Sequence, residues 1–332
     1  MTRRAYKFSL IINNYNYAKY VGEAIESALN QNDCNVEVIV VDDGSSDDSR
    51  DIIKKYENIF AVYQENKGQC AAFRAGLKVA TGDIVIQIDS DDLLMPNTCS
   101  KIESLWSDEV VYAQYRLIAF SEKGGDIGLI PRAPFTREHV QHLIQKGRFP
   151  YSPTTGNAYS TEVVKQVMDI VDPPDRFSPD GLLITCVPLA GKSITMNEPL
   201  GRYRIHDKNF SWGVSLEFSH HTANVIRDGA FRYAEAIGRS LPSNAIISQR
   251  SAFATSLKLF ALGSPLVDEK ECRHAAWSAL RAGLRDNSAE PIVRLKLIFS
   301  GALFWVSPHL ASRLTKKRTR WRNTPDDNIL IK

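Results

Sequence analysis

Three carboxylates, Asp89, Asp91 and Asp92, close the apolar run IVIQIDSDD that begins at Ile84. A second acidic group, Asp42 and Asp43, closes the run VEVIVVDD that begins at Val36. A third polar group, Asn13, Asn14 and Tyr15, follows FSLII at 8–12. Like charges at short range repel, and a cation offsets the repulsion. Magnesium and manganese prefer oxygen ligands, and magnesium is usually held by one or two carboxylates plus substrate phosphates. Asp-Ser-Asp suits this, because residues two apart share a strand face and a turn lets both reach one ligand. The chemistry implied is capture of a nucleotide diphosphate through a divalent metal. The bland alternative is that Asp and Ser are ordinary turn and cap residues. Recurrence of polar groups after three apolar runs argues for a site.

Those groups need elements that bring them together. FSLII reads as a strand. Val21, Ala24, Ile25, Ala28 and Leu29 recur at helical spacing and predict a helix over 18–31. VEVIVV (36–41) is a second strand. It stops at DDGSSDDS, whose Ser and Asp residues suit the N-cap of a helix carrying Ile52, Ile53 and Tyr56. FAVYQ (60–64) is a third strand. NKGQ then opens a helix over 68–80, with Gly82 suited to a left-handed C-terminal position. DIVIQID (83–89) is the fourth strand.

Strands alternating with helices predict right-handed βαβ units. Strands apolar throughout predict a sheet covered on both faces. The fold class is therefore α/β, a Rossmann-like, mostly parallel sheet flanked by helices. Ligands in such sheets bind outside the carboxyl ends of the strands. The three polar groups should line that edge.

The bulk composition excludes several classes. The chain has 332 residues, 43% hydrophobic and 24% charged, with a net charge of +3. That balance is ordinary for a globular protein and does not suggest nucleic-acid binding. Five scattered cysteines without a CxxC pair argue against a disulfide framework or a zinc cluster, and fit a reducing cytosol. The start, MTRRAYKFSLIINNYN, lacks the apolar length of a signal peptide, so none is expected. No apolar run reaches the roughly 18 to 20 residues of a membrane span.

Other residues carry charge worth placing. Asp180 follows Pro179 and opens the apolar stretch Leu182, Leu183, Ile184, Val187 and Leu189, so a helix-start role is open to it. Arg202, Arg204 and His206 alternate in GRYRIHDKN and would share one strand face, either on a diphosphate or in solvent. His139 and His142 share a helical face without other ligands, which suits surface packing. YSPTTGNAYS (151–160) reads as a loop. From about 215 to 290 the pattern is helical. Residues 291–323 join an apolar stretch, with Phe299, Phe304 and Trp305, to Arg313, Lys316, Lys317, Arg318, Arg320 and Arg322. This is either an interfacial segment beside anionic lipid or a core helix with a solvated tail. No aromatic-basic platform for nucleic acid accompanies it.

The runs SLIINNYNYAKYVGEAIESALNQ, VEVIVVDDGSSDDS and ENKGQCAAFRAGLKVATGDIVIQIDSDD together resemble the N-terminal half of the family 2 glycosyltransferases. The similarity is dense over 8–106 and resumes at FSPDGLL and EPLGRYRIHDKN, 177–209. It implies the GT-A fold. It also implies a metal-dependent, inverting transferase that moves a sugar from a nucleotide diphosphate donor (UDP- or similar) to a saccharide or lipid-linked acceptor, as in polysaccharide or cell-surface glycan synthesis. The cation would be Mn or Mg. Residue by residue, Asn13 and Tyr15 match positions on the base and ribose, and Asp43 the residue on the base edge. Asp89 matches the carboxylate near the ribose, Asp91 the metal ligand, and Asp92 a residue orienting the loop. Asp180 falls where the family places its base, with Asp175 as rival. Arg204 and His206 match the segment that closes over the donor.

One departure is Phe73-Arg74, where many relatives have Arg-Asn before Ala-Gly, so Arg74 is a donor contact without a direct match. The implied organisation is a catalytic domain over 1–212, with a nucleotide-sugar half to about 106 and an acceptor half over 107–212, followed by a helical region over 213–332. The implied location is cytoplasmic, with a peripheral seat on the inner membrane face if 291–323 is interfacial. Two other classes stay open. A sugar-phosphate nucleotidyltransferase should carry a basic, Gly-rich loop where this chain has NNYNYAKY. A non-catalytic nucleotide-sugar-binding protein should have lost Asp91 or Asp180.

Overall fold

The computed structural model describes residues 4–135, 151–206, 216–241, 268–285 and 291–312. His139, His142 and the basic residues from Arg313 to Arg322 lie outside them.

Strands β1 (Lys7–Asn14), β2 (Asn35–Asp43), β3 (Phe60–Gln64) and β4 (Ile84–Asp89) form a parallel block in the order β3-β2-β1-β4. Helices α1 (Ala18–Leu29), α2 (Ser49–Ile53) and α3 (Gln69–Val79) connect them. Leu10, Ile12, Val38, Val40, Ile84, Ile86 and Ile88 pack with Val21, Ala24, Ile25 and Ala28 of α1. On the other face α3 lies so close that a Cβ on Gly76 would sit 2.6 Å from Ile11 Cγ2. Both faces of β1, β2 and β4 are covered, which is why those strands are mostly apolar, whereas the edge strand β3 is largely exposed. Register aligns the strand ends: Asn13 opposes Val41 and Asp89, and Asn14 opposes Asp42.

One local expectation holds in position but not in bonding, and another is corrected. The N-cap of α2 is Asp48, whose side chain makes no cap bond; Asp47 Oδ1 instead accepts the Ser49 N–H at 3.0 Å. Gly82 is not left-handed, because α3 ends at Ala80 in extended backbone. Glycine is needed there for close approach, since a Cβ would lie 2.7 Å from Ser9 N.

The sheet continues beyond β4 in a way the sequence reading missed. β8 (Asn157–Ser160) joins β4 to β6 (Val110–Ser121), and β9 (Lys192–Ile205) lies between β6 and β5 (Leu93–Leu94). β7 (Asp126–Ile130) folds back on β6. The antiparallel ladders have only two to four register pairs each, whereas β1–β2 has eight and the parallel β6–β9 ladder eleven. The fold is α/β with a mostly parallel sheet. Residues 151–160 are therefore only half a loop. Their second half is β8, buried because it fills the sheet between β4 and β6.

Helices α4 (Thr98–Leu105), α5 (Thr161–Val171) and α6 (Asp180–Cys186) complete this unit, with the last part of α7 (Leu216–Ala236). The Ser160 hydroxyl caps α5 by accepting the Val163 N–H. A second compact unit holds α8 (Glu269–Arg285) and α9 (Pro291–Val306). They pair closely at Gly301, where a Cβ would lie 2.7 Å from Ala276 O. Among the described residues, no helix is long and apolar enough to cross a membrane.

Candidate active site

The acidic group at 89–92 is a tight turn, closed by the Asp92 N–H donating to Asp89 O at 3.0 Å. Asp92 is fully buried and faces inward. Its Oδ1 accepts the Arg204 N–H of β9 at 2.9 Å, and its Oδ2 accepts the Thr155 hydroxyl at 2.7 Å. Burial raises the Asp92 carboxyl well above the usual range, and the charges of Asp91 and Asp89 add to the rise. Asp89, at the strand end, is raised to about 8 by burial and then by Asp91 and Asp180. Burial thus disfavours the charged forms of Asp89 and Asp92.

The Arg204 side chain turns under this site. Its Nε donates to Asp91 O at 2.8 Å, and a terminal nitrogen to Glu23 Oε2 at 2.9 Å. Its guanidinium lies between the rings of Tyr20 and Phe120, 4.8 and 4.6 Å from their centroids. The resemblance implies a donor contact for Arg204; these bonds make it a strut beneath the turn. His206 follows on the same face. Its Nε2 lies 2.8 Å from Asp91 Oδ2, and its ring stacks on Tyr20 at 5.2 Å with Tyr17 edge-on at 5.8 Å.

A carboxylate oxygen suits Mg2+ or Mn2+, and a neutral imidazole nitrogen beside it is a second potential ligand. Among the described residues, no group of three or more His, Cys, Asp or Glu could hold a metal ion. The residues fit a cation that arrives largely coordinated by a diphosphate, and not a protein-built cage.

The next two strand ends are clasped together. Asn14 Nδ2 donates to Asp42 Oδ1 at 3.0 Å and to Ser45 Oγ at 3.1 Å. Asn16, in the left-handed region at φ 58°, donates its N–H to Ser45 Oγ and accepts the Ser46 N–H. Arg50 Nε donates to Asp42 Oδ2 at 2.7 Å. Tyr15 projects from this clasp, 46% exposed. Asn13 Oδ1 is buried without a partner, an acceptor that a ligand donor can fill. Asp43 accepts from Gln64 Nε2, Lys67 N and Gly68 N at 2.7 to 2.9 Å. An open crevice of about 520 Å³, lined by Ser45, Arg50, Tyr63 and Asn66 among others, lies at this end.

Asp180 opens α6 and accepts the Ser178 hydroxyl at 2.7 Å. Burial raises Asp89 and Tyr151, and the charge of Asp180 adds to both rises. Arg74 does not point to the acidic turn. It donates to the carboxylates of Asp172 and Asp175 and to Pro173 O. The Asp175 carbonyl accepts the Cys70 and Ala71 N–H groups at the start of α3. Gly68, at φ +106°, lies against Arg176, where any Cβ would clash at 2.6 Å. The loop leading to Asp180 is thereby docked on the loop that surrounds Asp43. Glu23, Tyr20, Thr154 and Thr155 were not singled out in the sequence, since none sits in a recurring pattern.

The model of glycosyl transferase family 2 matches residues 9–167. Over 212 residues the chain is 36% identical to the uncharacterized glycosyltransferase alr2836 of Nostoc sp., covering 61% of this chain and 66% of that one. It is 39% identical over 105 residues to the putative glycosyltransferase EpsH of Bacillus subtilis, covering 30% of each. The match thus spans just under two thirds of the first relative and under a third of the second. Among solved structures, S. aureus TarS 1-349 in complex with UDP aligns with a TM-score of 0.60 at 18% identity, over 94% of this chain and 92% of that one. The same protein with UDP-GlcNAc gives 0.59 at 17% identity, over the same shares. At such identity the likeness is one of fold. Residues 9–167 match glycosyl transferase family 2, and the fold of the chain is that of the GT-A glycosyltransferases.

Proposed function

We propose that this protein moves a sugar from a nucleoside diphosphate donor to a saccharide or lipid-linked acceptor, with inversion at the anomeric carbon and a divalent cation, Mn2+ or Mg2+. The observation that carries the reading is the alignment of the β1, β2 and β4 ends, which sets Asn13, Asp42 and Asp89 along one edge of the sheet, next to the Asp91–His206 pair. The TarS complexes with UDP and UDP-GlcNAc support a nucleotide-sugar donor.

Tyr15 and Asn13 meet the nucleoside, the first by its exposed ring and the second by its unpaired oxygen. Asp43 accepts three hydrogen bonds, and a carboxylate has about four acceptor sites, so one remains for a base N–H. Asp91 and His206 would hold the cation, which offsets the charge on the diphosphate leaving group. Asp89 faces the donor's ribose, and Asp92 fixes the turn.

Asp180 acts as general base. It accepts the proton of the acceptor hydroxyl as that oxygen attacks the anomeric carbon, while the bond to the diphosphate breaks on the opposite face. The Ser178 hydroxyl holds one Asp180 oxygen and so aims the other. Arg74 contributes by fixing the loop before Asp180. A nucleotidyltransferase reading is disfavoured because NNYNYAKY contains no glycine and its Asn14 and Asn16 are tied to Asp42, Ser45 and Ser46.

The proposal includes a peripheral seat for residues 291–323 on an anionic cytoplasmic membrane face. Leu295, Phe299 and Val306 of α9 are 64%, 72% and 69% exposed, and the sequence beyond is strongly basic. Flotation of the full chain with anionic but not neutral vesicles is the expected result; flotation with neither removes this part.

The central test is a panel of UDP-, GDP- and dTDP-sugars with Mn2+ or Mg2+, read by calorimetry and by donor hydrolysis. Binding of one nucleotide family that depends on the cation is expected. Absence of binding across the panel overturns the reading.

A further inference from the structure

The turn at Thr154–Gly156 precedes β8, which pairs antiparallel with β4. That pairing brings two hydroxyls to the acidic turn. Thr155 is fully buried, and its Oγ1 makes two bonds there. It accepts the Asp89 N–H at 3.2 Å and donates to Asp92 Oδ2 at 2.7 Å. One hydroxyl therefore joins the first and last residues of the four-residue turn, with Asp91 between them. The Thr154 hydroxyl acts on the Asp89 carboxyl in the opposite sense to burial, favouring its charged form.

The two threonines are themselves fixed from below. Asn157 Nδ2 donates to the carbonyls of Ser152, Pro153 and Thr154, at 3.2, 2.7 and 3.3 Å. The Tyr112 hydroxyl donates to Asn157 Oδ1 at 2.8 Å, and the Tyr115 hydroxyl to Thr155 O at 2.5 Å. The Ser152 hydroxyl donates to Tyr115 O. A Cβ on Gly156 would lie 2.3 Å from Ser152 Cβ and 2.9 Å from Tyr115 O, so only glycine passes. This support comes from buried side chains on β6 and β8, and a group held that firmly transmits its position to what it bonds.

We propose that Thr155 is a positioning residue for the donor–cation site: by tying Asp89 to Asp92 its hydroxyl fixes the direction in which Asp91 presents its carboxylate. The inference rests on the glycosyl-transfer reading above. A valine in its place keeps the shape but neither donates nor accepts. It would leave the Asp89 N–H and Asp92 Oδ2 short of a partner in a buried site. The turn would then relax, and Asp91 would lose its aim.

Calorimetric binding of UDP to the full chain, with MnCl2 and separately with EDTA, tests this. Wild type, Thr155→Val and Thr155→Ser are compared, with melting temperatures alongside. Thr155→Val should bind UDP in manganese roughly 10- to 100-fold more weakly, the usual cost of losing an outer-shell partner of a metal ligand. Its binding in EDTA should match wild type, and Thr155→Ser should restore the manganese-dependent affinity. Thr155→Ala carries the same expectation where the valine variant does not fold. Unchanged affinity in manganese overturns the inference. So does an equal loss with and without manganese, which a merely structural residue would give. Failure of the wild type itself to bind UDP, GDP or dTDP more tightly with manganese overturns the glycosyl-transfer reading, and the role of Thr155 falls with it; where GDP or dTDP is the nucleotide that binds, it replaces UDP in the comparison.

Discussion

His206 Nε2 lies 2.8 Å from Asp91 Oδ2, although 115 positions of chain separate the two residues. The meeting is made by β9, which pairs with β5 just after the acidic turn, Leu93 opposite Arg202. Helix α1 contributes Tyr20, on which the imidazole stacks. Three distant segments thus assemble one nitrogen–oxygen pair.

Under the proposed function, Asp91→Asn should abolish manganese-dependent UDP binding, and His206→Ala should weaken it by at least the roughly 10-fold that smaller changes around metal ligands cost. Calorimetry in manganese and in EDTA measures both. Affinities equal to wild type would make the pair a structural contact.

Asp180→Asn keeps the size of the side chain and an oxygen for the Ser178 hydroxyl. It should bind UDP as wild type does and lose transfer by about 10²- to 10⁴-fold, the usual contribution of general base catalysis. Asp175→Asn is the control, since Asp175 bonds Arg74 through its side chain. Full transfer by Asp180→Asn, or a larger loss in Asp175→Asn, would move the base role away from Asp180.

Arg74 separates two readings of one residue. As a donor contact it should govern UDP affinity. As the residue that holds Asp172, Pro173 and Asp175, it should govern the loop that carries Asp180. The geometry favours the second. Arg74→Ala should leave UDP affinity unchanged and lower the transfer rate. Its stability cost should be at most about 1 kcal/mol, because both carboxylates are exposed. Loss of UDP affinity would return Arg74 to the donor.

The parallel block was legible because each of its parts gives a local signal. β1, β2 and β4 are apolar runs ending in polar groups, and their register puts Asn13, Asp42 and Asp89 at one edge. The antiparallel half was not. β8 has four residues, too few to give a period, and β6 is buried along nearly all its length and gives no alternation. Thr155 depends on both strands and so was invisible. The alternation of Arg202 and Arg204 did place them on one face, since both guanidiniums cover the Phe120 ring. Which way that face points is set by β9 lying between β6 and β5, a fact of topology that no local pattern encodes.

The last prediction concerns the end of β2 opposite Asp43. Glu37 is buried there, and burial alone would raise its carboxyl. Hydrogen bonds from Lys7, Ser9 and Thr81 outweigh burial and bring it from 4.5 to about 2. Lys7 Nζ and the Ser9 hydroxyl both approach to 2.6 Å, and Gly82 N adds a bond at 3.1 Å. The unfolded chain binds a proton at Glu37 near its ordinary value, whereas the folded chain stays ionised until about 2. The stabilisation is therefore complete above the unfolded value and is lost as pH falls through the folded one. A shift of this size corresponds to something on the order of 3 kcal/mol. Glu37→Gln should lower the melting temperature at neutral pH, and its deficit against wild type should shrink between pH 4.5 and about 2. Thermal melts of both proteins across that range measure it. A deficit that stays constant with pH would mean that Glu37 stabilises the strand end by packing and not by its charge.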